Sequence, residues 1–225
     1  MKLKRIIILV LAALLLFSPF TYAFVLINEI LADPPATVLG DANQDGIVSA
    51  TQDEFVELLN FGQDSVDLSG WSISDSTSVR HILPGGTNLP GNNFLVVFGG
   101  GHPSLTGIIT QTASSGTLGL NNTGDQVTLY NTFNQIMSQV TYGSLGNHDQ
   151  SITRFPDGAG QDFVLHSSIA ESHGKIFSPG TAVDGQTTIS VVPEISSLVL
   201  WQMGLLLLGF QRKITTNKFY DSKHG

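Results

Sequence analysis

The start of the chain has the pattern of an export signal. Three positive charges lie within the first five residues, an apolar run covers residues 6–17, and a small residue, Ala23, follows a short polar stretch. A basic, an apolar and a small-residue region in this order are typical of a cleavable signal peptide. We therefore predict a helical signal peptide over residues 1–23 and a function outside the cytoplasm.

A second apolar segment lies near the other end, and it predicts retention in a membrane. Residues 198–210 are almost wholly apolar and are followed by Arg212 and Lys213. A basic pair of this kind favours a cytoplasmic C-terminus. The stretch is shorter than the roughly 17–25 residues of most membrane-spanning helices. A plain tail anchor and a short buried helix therefore remain alternatives.

The middle of the chain is strongly acidic and has no cysteine. Residues 24–192 carry sixteen acidic and three basic residues, a formal charge of −13. Nucleic acid is not an expected partner, because phosphate binding depends on Lys and Arg. Divalent cations suit such a surface. Without cysteine there is no disulfide framework, but about 170 residues suffice for a hydrophobic core.

The pattern of apolar residues in this middle predicts strands separated by Gly- and Pro-rich turns. The candidate strands are residues 24–31, 66–73, 94–98, 127–130 and 136–142, with weaker candidates at 108–112 and 162–166. Residues 53–60 fit a helix or a strand, and we choose a strand because the neighbouring segments are strands. The apolar phase flips at Gly70, which predicts a β-bulge there. Short strands about ten residues apart are typical of an antiparallel sandwich.

Seven strings in order over about 160 residues resemble the lamin tail domain in its bacterial secreted form. They are VLINEILADP (25–34), DEFVELLNFG (53–62), VDLSGWSISD (66–75), LPGGTNLPGNNFLVVFGGG (83–101), LNNTGDQVTLYN (120–131), QSITRFPDG (150–158) and FSPGTAVDG (177–185). The resemblance implies an immunoglobulin-like β-sandwich that acts as a binding or architectural module. It brings no catalytic residues.

The tail resembles the PEP-CTERM sorting signal. Val-Pro-Glu-Ile over residues 192–195 precedes the apolar segment and the basic pair. Ile195 stands where that signal has a second proline, and twelve residues follow Lys213. The resemblance implies a membrane exosortase as a partner, in bacteria that make extracellular polysaccharide.

A calcium loop is the sharpest local motif. Residues 40–49 read GDANQDGIVS, in which side-chain oxygens alternate before a glycine turn, as at the start of an EF-hand or dockerin loop. The candidate ligands are Asp41, Asn43, Asp45, the carbonyl of Ile47, and the two acids Asp53 and Glu54, through which a slightly longer loop would close. Gln52 occupies position twelve, where an acid is expected. An Asx-rich turn without calcium is the alternative.

Other polar residues point to structure rather than to a reaction. Residues 146–149 read GNHD, as in one block of the calcineurin-like metallophosphoesterases, but the other metal-binding blocks are missing. Acids on apolar strands are costly unless they are paired. Glu29, Glu54 and Glu57 are such acids, and we expect Arg154 to pair with one of them.

The predicted organisation is a signal peptide, an all-β immunoglobulin-like antiparallel β-sandwich over residues 24–185, a linker over 186–192, a helical sorting or transmembrane segment over 193–213 and a polar tail over 214–225. The predicted function is a non-enzymatic module, calcium-stabilised, that binds extracellular polysaccharide or a surface protein. It would lie on the periplasmic face of the inner membrane, on the cell surface or outside the cell. A calcium-dependent hydrolase that acts on phosphate esters or polysaccharide, or the accessory domain of one, becomes the better interpretation if acids and His148 converge in one cleft. A carbohydrate-binding module becomes better if exposed aromatic rings are coplanar on one sheet face.

Overall fold

The computed structural model describes residues 25–189, which form β-strands joined by turns and short 3-10 helices. The strands are β1 (Val25–Leu31), β2 (Phe55–Asn60), β3 (Val66–Asp67), β4 (Ser72–Ser74), β5 (Val79–Ile82), β6 (Asn88–Leu89), β7 (Phe94–Phe98), β8 (Ile109–Thr112), β9 (Asp125–Tyr130), β10 (Ile136–Tyr142), β11 (Ile152–Arg154) and β12 (Phe163–Leu165). The 3-10 helices are Val38–Gly40, Ser144–Gly146, His166–Ser168 and Ala170–Ser172.

Two main sheets make the sandwich. One has six strands in the order β12-β11-β1-β2-β7-β8, and the other has four in the order β10-β9-β4-β5; β3 and β6 form a small third sheet. All pairs are antiparallel except β7 with β8, which is parallel. The prediction of an all-β sandwich is therefore confirmed, with one parallel pair at its edge. The predicted helical leader (1–23) and tail (193–213) lie outside the described residues.

The central strands of the six-stranded sheet are buried on both faces, which explains their continuous apolar runs. Alternate residues such as Val56 and Leu58 pack in the main core between the sheets. Phe55 and Phe98 point to the opposite face, where they pack with Phe177 from the C-terminal part of the domain. Segment 176–183 thus covers a face that the second sheet cannot reach.

The segment after β2 differs from its prediction. The phase flip at Gly70 does not mark a bulge; it marks the point where the chain leaves the small sheet containing β3 and enters the four-stranded sheet at β4. Gly70 has φ +77° in the connecting turn, a conformation that favours glycine. A bulge and a change of sheet both invert the apolar parity, so the pattern alone does not separate them. The strand chosen for residues 53–60 is confirmed as β2.

The described residues, 25–189, include no helix with the length and apolar character needed to cross a bilayer.

Substituting Leu58 should show how much the core contributes. Leu58 is fully buried, so Leu58→Ala should lower the free energy of unfolding by about 2–5 kcal/mol through lost burial and a new cavity. Leu39→Ala is the matched control, because that side chain is 66% exposed and should change stability by less than about 0.5 kcal/mol. Urea unfolding of the purified chain measures both. Equal losses would contradict the assignment of the core.

Candidate functional site

The loop between β1 and β2 holds the predicted calcium ligands. The Asp41 carboxylate accepts the backbone N–H groups of Asp45 (3.1 Å) and Gly46 (3.0 Å). The Asn43 side-chain oxygen accepts the same Asp45 N–H at 2.9 Å. The structure therefore gathers Asp41, Asn43 and Asp45 around one turn, in which their oxygens bond to the loop backbone.

Asp45 also ties this loop to the loop after β7. Its Oδ1 accepts the N–H of Ile47 at 2.9 Å, and its Oδ2 accepts the N–H of His102 at 3.0 Å. The hydrogen bond from His102 lowers the pKa of Asp45 below its ordinary value. The Ile47 side chain itself is exposed. A carboxylate at this position therefore fixes the loop through backbone contacts.

Asp53, two residues before β2, holds the end of the same loop to its earlier part. It is fully buried, and its two oxygens accept the backbone N–H groups of Asn43 (3.1 Å) and Ser49 (2.8 Å). Burial raises the pKa of Asp53. Calcium takes six to eight oxygen ligands. Within residues 25–189, no group of three or more His, Cys, Asp or Glu side chains is placed to hold a metal ion. The loop therefore offers fewer converging carboxylates than a complete calcium site.

The Glu54 side chain lies away from this loop, next to residues 119 and 120. Its Oε2 accepts the backbone N–H groups of Gly119 (2.9 Å) and Leu120 (3.4 Å), so the structure does not bring this side chain to Asp41. Burial raises the pKa of Glu54 to about 7, against the opposing effects of these hydrogen bonds and of the positive charge of Arg80. Glu54 therefore holds the segment before β9 against the start of β2.

A buried network around Glu29 was missed at the sequence level. Glu29 is fully buried and accepts hydrogen bonds from the hydroxyls of Ser151 (2.5 Å) and Ser178 (2.7 Å) and from the Ser178 N–H (2.9 Å). The Ser178 hydroxyl also lies 2.9 Å from His166 Nε2, while His166 Nδ1 lies 2.9 Å from the carbonyl of Lys175. Burial raises the pKa of Glu29, and the nearby His166 lowers it in part.

The hydrogen bonds of His166 and Ser178 connect three parts of the network. A carbonyl only accepts, so the hydrogen on His166 Nδ1 points to Lys175. The Ser178 hydroxyl has one hydrogen and two neighbours, Glu29 and His166 Nε2. It can donate to one of them while it accepts from the other, so the Ser178 hydroxyl links the Glu29 carboxyl to the His166 ring.

Glu57 forms a second buried contact with the C-terminal part of the domain. It lies opposite Glu29 in the β1–β2 register and is fully buried. It accepts hydrogen bonds from the Asn28 amide (3.0 Å) and the Gly180 N–H (2.6 Å). Burial, and then the charge of Glu29, raise the pKa of Glu57 well above its ordinary value. Asp157 accepts the other Asn28 amide hydrogen at 2.9 Å, which extends the network.

The expected pairing of Arg154 with an acid is wrong. Arg154 donates to the carbonyls of Ile27 (3.4 Å) and Gly160. Over residues 25–189, the ion pair present joins Arg80 to Asp75 at 2.5 Å. The acids on the strands are satisfied by hydroxyl, amide and backbone donors instead.

The GNHD string at residues 146–149 does not bring acids together with His148 in a cleft. His148 is exposed, and the N–H of Asp149 donates to the Asp33 carboxylate at 3.2 Å. This contact joins the loop between β10 and β11 to the loop after β1.

A signal for the buried network was present, but only in part. The acidic positions of β1 and β2 stand out on apolar strands and imply donors nearby. Glu29 and its partner Ser178 are separated by 149 residues. No local pattern points from one to the other.

Comparison with known proteins gives one family. The family model described as Lamin Tail Domain matches residues 19–144 of the 225-residue chain. A search of the curated proteins found no match. The matched range ends after β10, whereas β11, β12 and segment 176–183 continue the six-stranded sheet and its cover.

The raised pKa of Glu54 predicts a pH-dependent stability. A carboxyl whose pKa is about 7 in the folded state and 4.5 as an isolated group stabilises the fold below pH 4.5, and this contribution is lost as the pH rises through 7. The loss is up to about 3 kcal/mol by pH 8. Glu54→Gln stays neutral, so its stability should fall less than that of the unmodified chain between pH 5 and 8.

Denaturant unfolding at the two pH values measures this difference. The exposed Glu171→Gln is the control and should leave the pH dependence unchanged. An identical pH dependence in the unmodified chain and in Glu54→Gln would show that Glu54 is ionised in the fold.

Proposed function

The chain belongs to the lamin tail domain family, and from that premise we propose that it is an exported, membrane-sorted module for binding or scaffolding at the cell surface or in the extracellular matrix. The basic and apolar start of the chain supports export, and the PEP-CTERM-like tail supports retention and processing by an exosortase. The acidic middle supports partners other than nucleic acid.

One observation supports a binding role for this protein rather than a catalytic one. The buried acids and the buried histidine, which are the groups best suited to a reaction, are engaged in holding segment 176–183 on the sheet. Glu29 bonds to Ser178, Glu57 bonds to Gly180, and His166 bonds to Ser178. These groups stabilise the module and leave its surface for recognition.

The alternative functions receive less support. The hydrolase requires acids to converge with His148, which is exposed on a loop. An aromatic platform for neutral sugars requires coplanar exposed rings on one sheet face. Phe133 and Phe155 are the aromatic side chains among the large exposed apolar residues of the described range, and each lies between strands.

Cell fractionation tests the proposal. In a bacterium with an exosortase, the chain should occur in the membrane fraction and should begin at Phe24, as measured by N-terminal sequencing. Deleting residues 193–213 should shift it to the soluble extracytoplasmic fraction, because the apolar segment holds it. Deleting residues 214–225 is the control and should leave it in the membrane. An unprocessed chain in the cytosol would refute the proposal.

We further propose that calcium binds weakly at the β1–β2 loop and stabilises it. The gathering of Asp41, Asn43 and Asp45 around one turn supports this, and the small number of carboxylates there points to low affinity. Extracellular calcium modules reach a Kd of about 1 mM. At that Kd, about 10 mM calcium would add about 1.4 kcal/mol of stability.

Thermal unfolding with calcium and with chelator measures the effect. Asp41→Asn removes one charge from the loop and should abolish the calcium-dependent rise in Tm. Asp64→Asn is the matched control, since Asp64 is exposed and lies outside the loop, and it should keep the rise. A rise that survives Asp41→Asn, or no rise in the unmodified chain, would exclude calcium from this loop.

A further inference from the structure

A cavity of about 310 Å³ lies between β10 and β12. β10 is an edge strand of the four-stranded sheet and β12 is an edge strand of the six-stranded sheet, so the cavity opens where the two sheet edges approach each other. Its volume lies at the lower end of small-molecule sites, which span about 300–1,000 Å³. Its lining includes Gln139, Thr141, Gly143, Arg154, Gln161 and Phe163.

Arg154 gives this cavity a half-buried positive charge, which forms no ion pair within residues 25–189. Two of its five N–H donors reach the carbonyls of Ile27 and Gly160, and its guanidinium carbon lies 4.9 Å from the centre of the Phe163 ring. Within residues 25–189 no carboxylate lies within ion-pair distance of it. A guanidinium presents its donors as a planar fork that matches a carboxylate.

The other polar side chains of the lining suit hydroxyl groups. Gln161 is exposed and has no hydrogen-bond partner among the described residues. Gln139 uses its amide nitrogen on Thr128 (3.0 Å), which leaves its oxygen free to accept. The Thr141 oxygen accepts from Gln126 (3.1 Å), which leaves its hydroxyl hydrogen free to donate. The cavity therefore offers both donors and acceptors beside the guanidinium.

We propose that this cavity binds a hexuronate residue of an acidic polysaccharide. The carboxylate would pair with Arg154, and the sugar hydroxyls would bond to Gln139, Thr141 and Gln161. This inference rests on the proposed role in surface or matrix binding and names the ligand class. A sugar acid combines one carboxylate with several hydroxyls on a compact ring, which matches the composition of the lining. An acidic peptide has fewer hydroxyls to offer these groups.

The acidic surface determines the ionic strength at which binding of an anionic sugar should be measured. Asp162 also lines the cavity and places a negative charge near Arg154, and the rest of the domain is strongly negative, so near and distant charges both oppose an anion. At about 0.15 M salt the Debye length is about 8 Å, which screens distant charges while a contact with Arg154 persists. Binding should therefore be measured at that ionic strength.

NMR titration of the full-length chain in detergent tests the site. Sodium glucuronate and sodium galacturonate are the probes, and the amide signals of Gly143 and of the Gln161 side chain are the readout. We expect saturable shifts with a Kd on the order of 1 mM for at least one of the two sugars. The methyl ester of the bound sugar should bind about 10- to 100-fold more weakly, because a charge-assisted hydrogen bond is lost.

Variants locate the contact. Arg154→Lys keeps the charge but loses the fork, and it should weaken binding about 10-fold. Because Arg154 also supports the fold, Gln161→Ala provides the second variant and should weaken binding about 2- to 10-fold. Gln63→Ala, at another exposed glutamine, and Lys175→Gln, at another positive charge, are the matched controls and should bind normally.

The outcomes are separable. No shift at Gly143 and Gln161 with either sugar, or equal binding of acid and ester, would overturn the site. Equally tight binding of N-acetylglutamate would assign it to peptide carboxylates and would also overturn the proposal. None of these results changes where the chain is found in the cell, so failure of this site and failure of the proposed localisation are distinguishable.

Discussion

The fold depends on two carboxyl groups that lie side by side in the middle of a β-sheet. Glu29 and Glu57 face each other across β1 and β2, on the face turned away from the second sheet, and both are fully buried. Two buried like charges at adjacent positions would be costly, and burial accordingly raises the pKa of each. Two of the residues that donate to them, Ser178 and Gly180, belong to the C-terminal segment. The position of that segment is thus specified by directional polar contacts.

Apolar side chains on segment 176–183 then make its contact with the six-stranded sheet favourable. Phe177 and Ala182, on either side of the bonded residues, pack against apolar side chains of the same sheet face. Hydrophobic burial is roughly proportional to area and has little directionality. Hydrogen bonds to buried acids are directional and costly to lose. The two effects together hold segment 176–183 in one place on a sheet that otherwise would expose a large apolar face.

A directional hydrogen bond also adds to the apolar packing where the two main sheets meet. β1 has an irregular register between Ile27 and Glu29, and the freed Ile27 N–H donates to the Ser138 hydroxyl on β10 at 3.1 Å. This contact joins the edge of one sheet to the centre of the other. Residues of β10, together with Arg154 of β11 and Phe163 of β12, line the cavity between the sheet edges. A module of this kind presents a rigid frame whose edges and loops remain available to partners.

The sequence by itself determined the all-β class, most strands and the double-sided burial of β7, because alternation and continuous apolar runs are local properties of the chain. It also singled out the loop where Asp41, Asn43 and Asp45 gather, because Asx-rich turns are built from neighbouring residues. The tertiary structure decided that Gly70 marks a change of sheet, that Glu54 faces residues 119 and 120, and that Arg154 bonds to the carbonyl of Ile27. Each of these depends on a partner far away in the chain, and a side chain that can reach several donors gives no local sign of which one it meets.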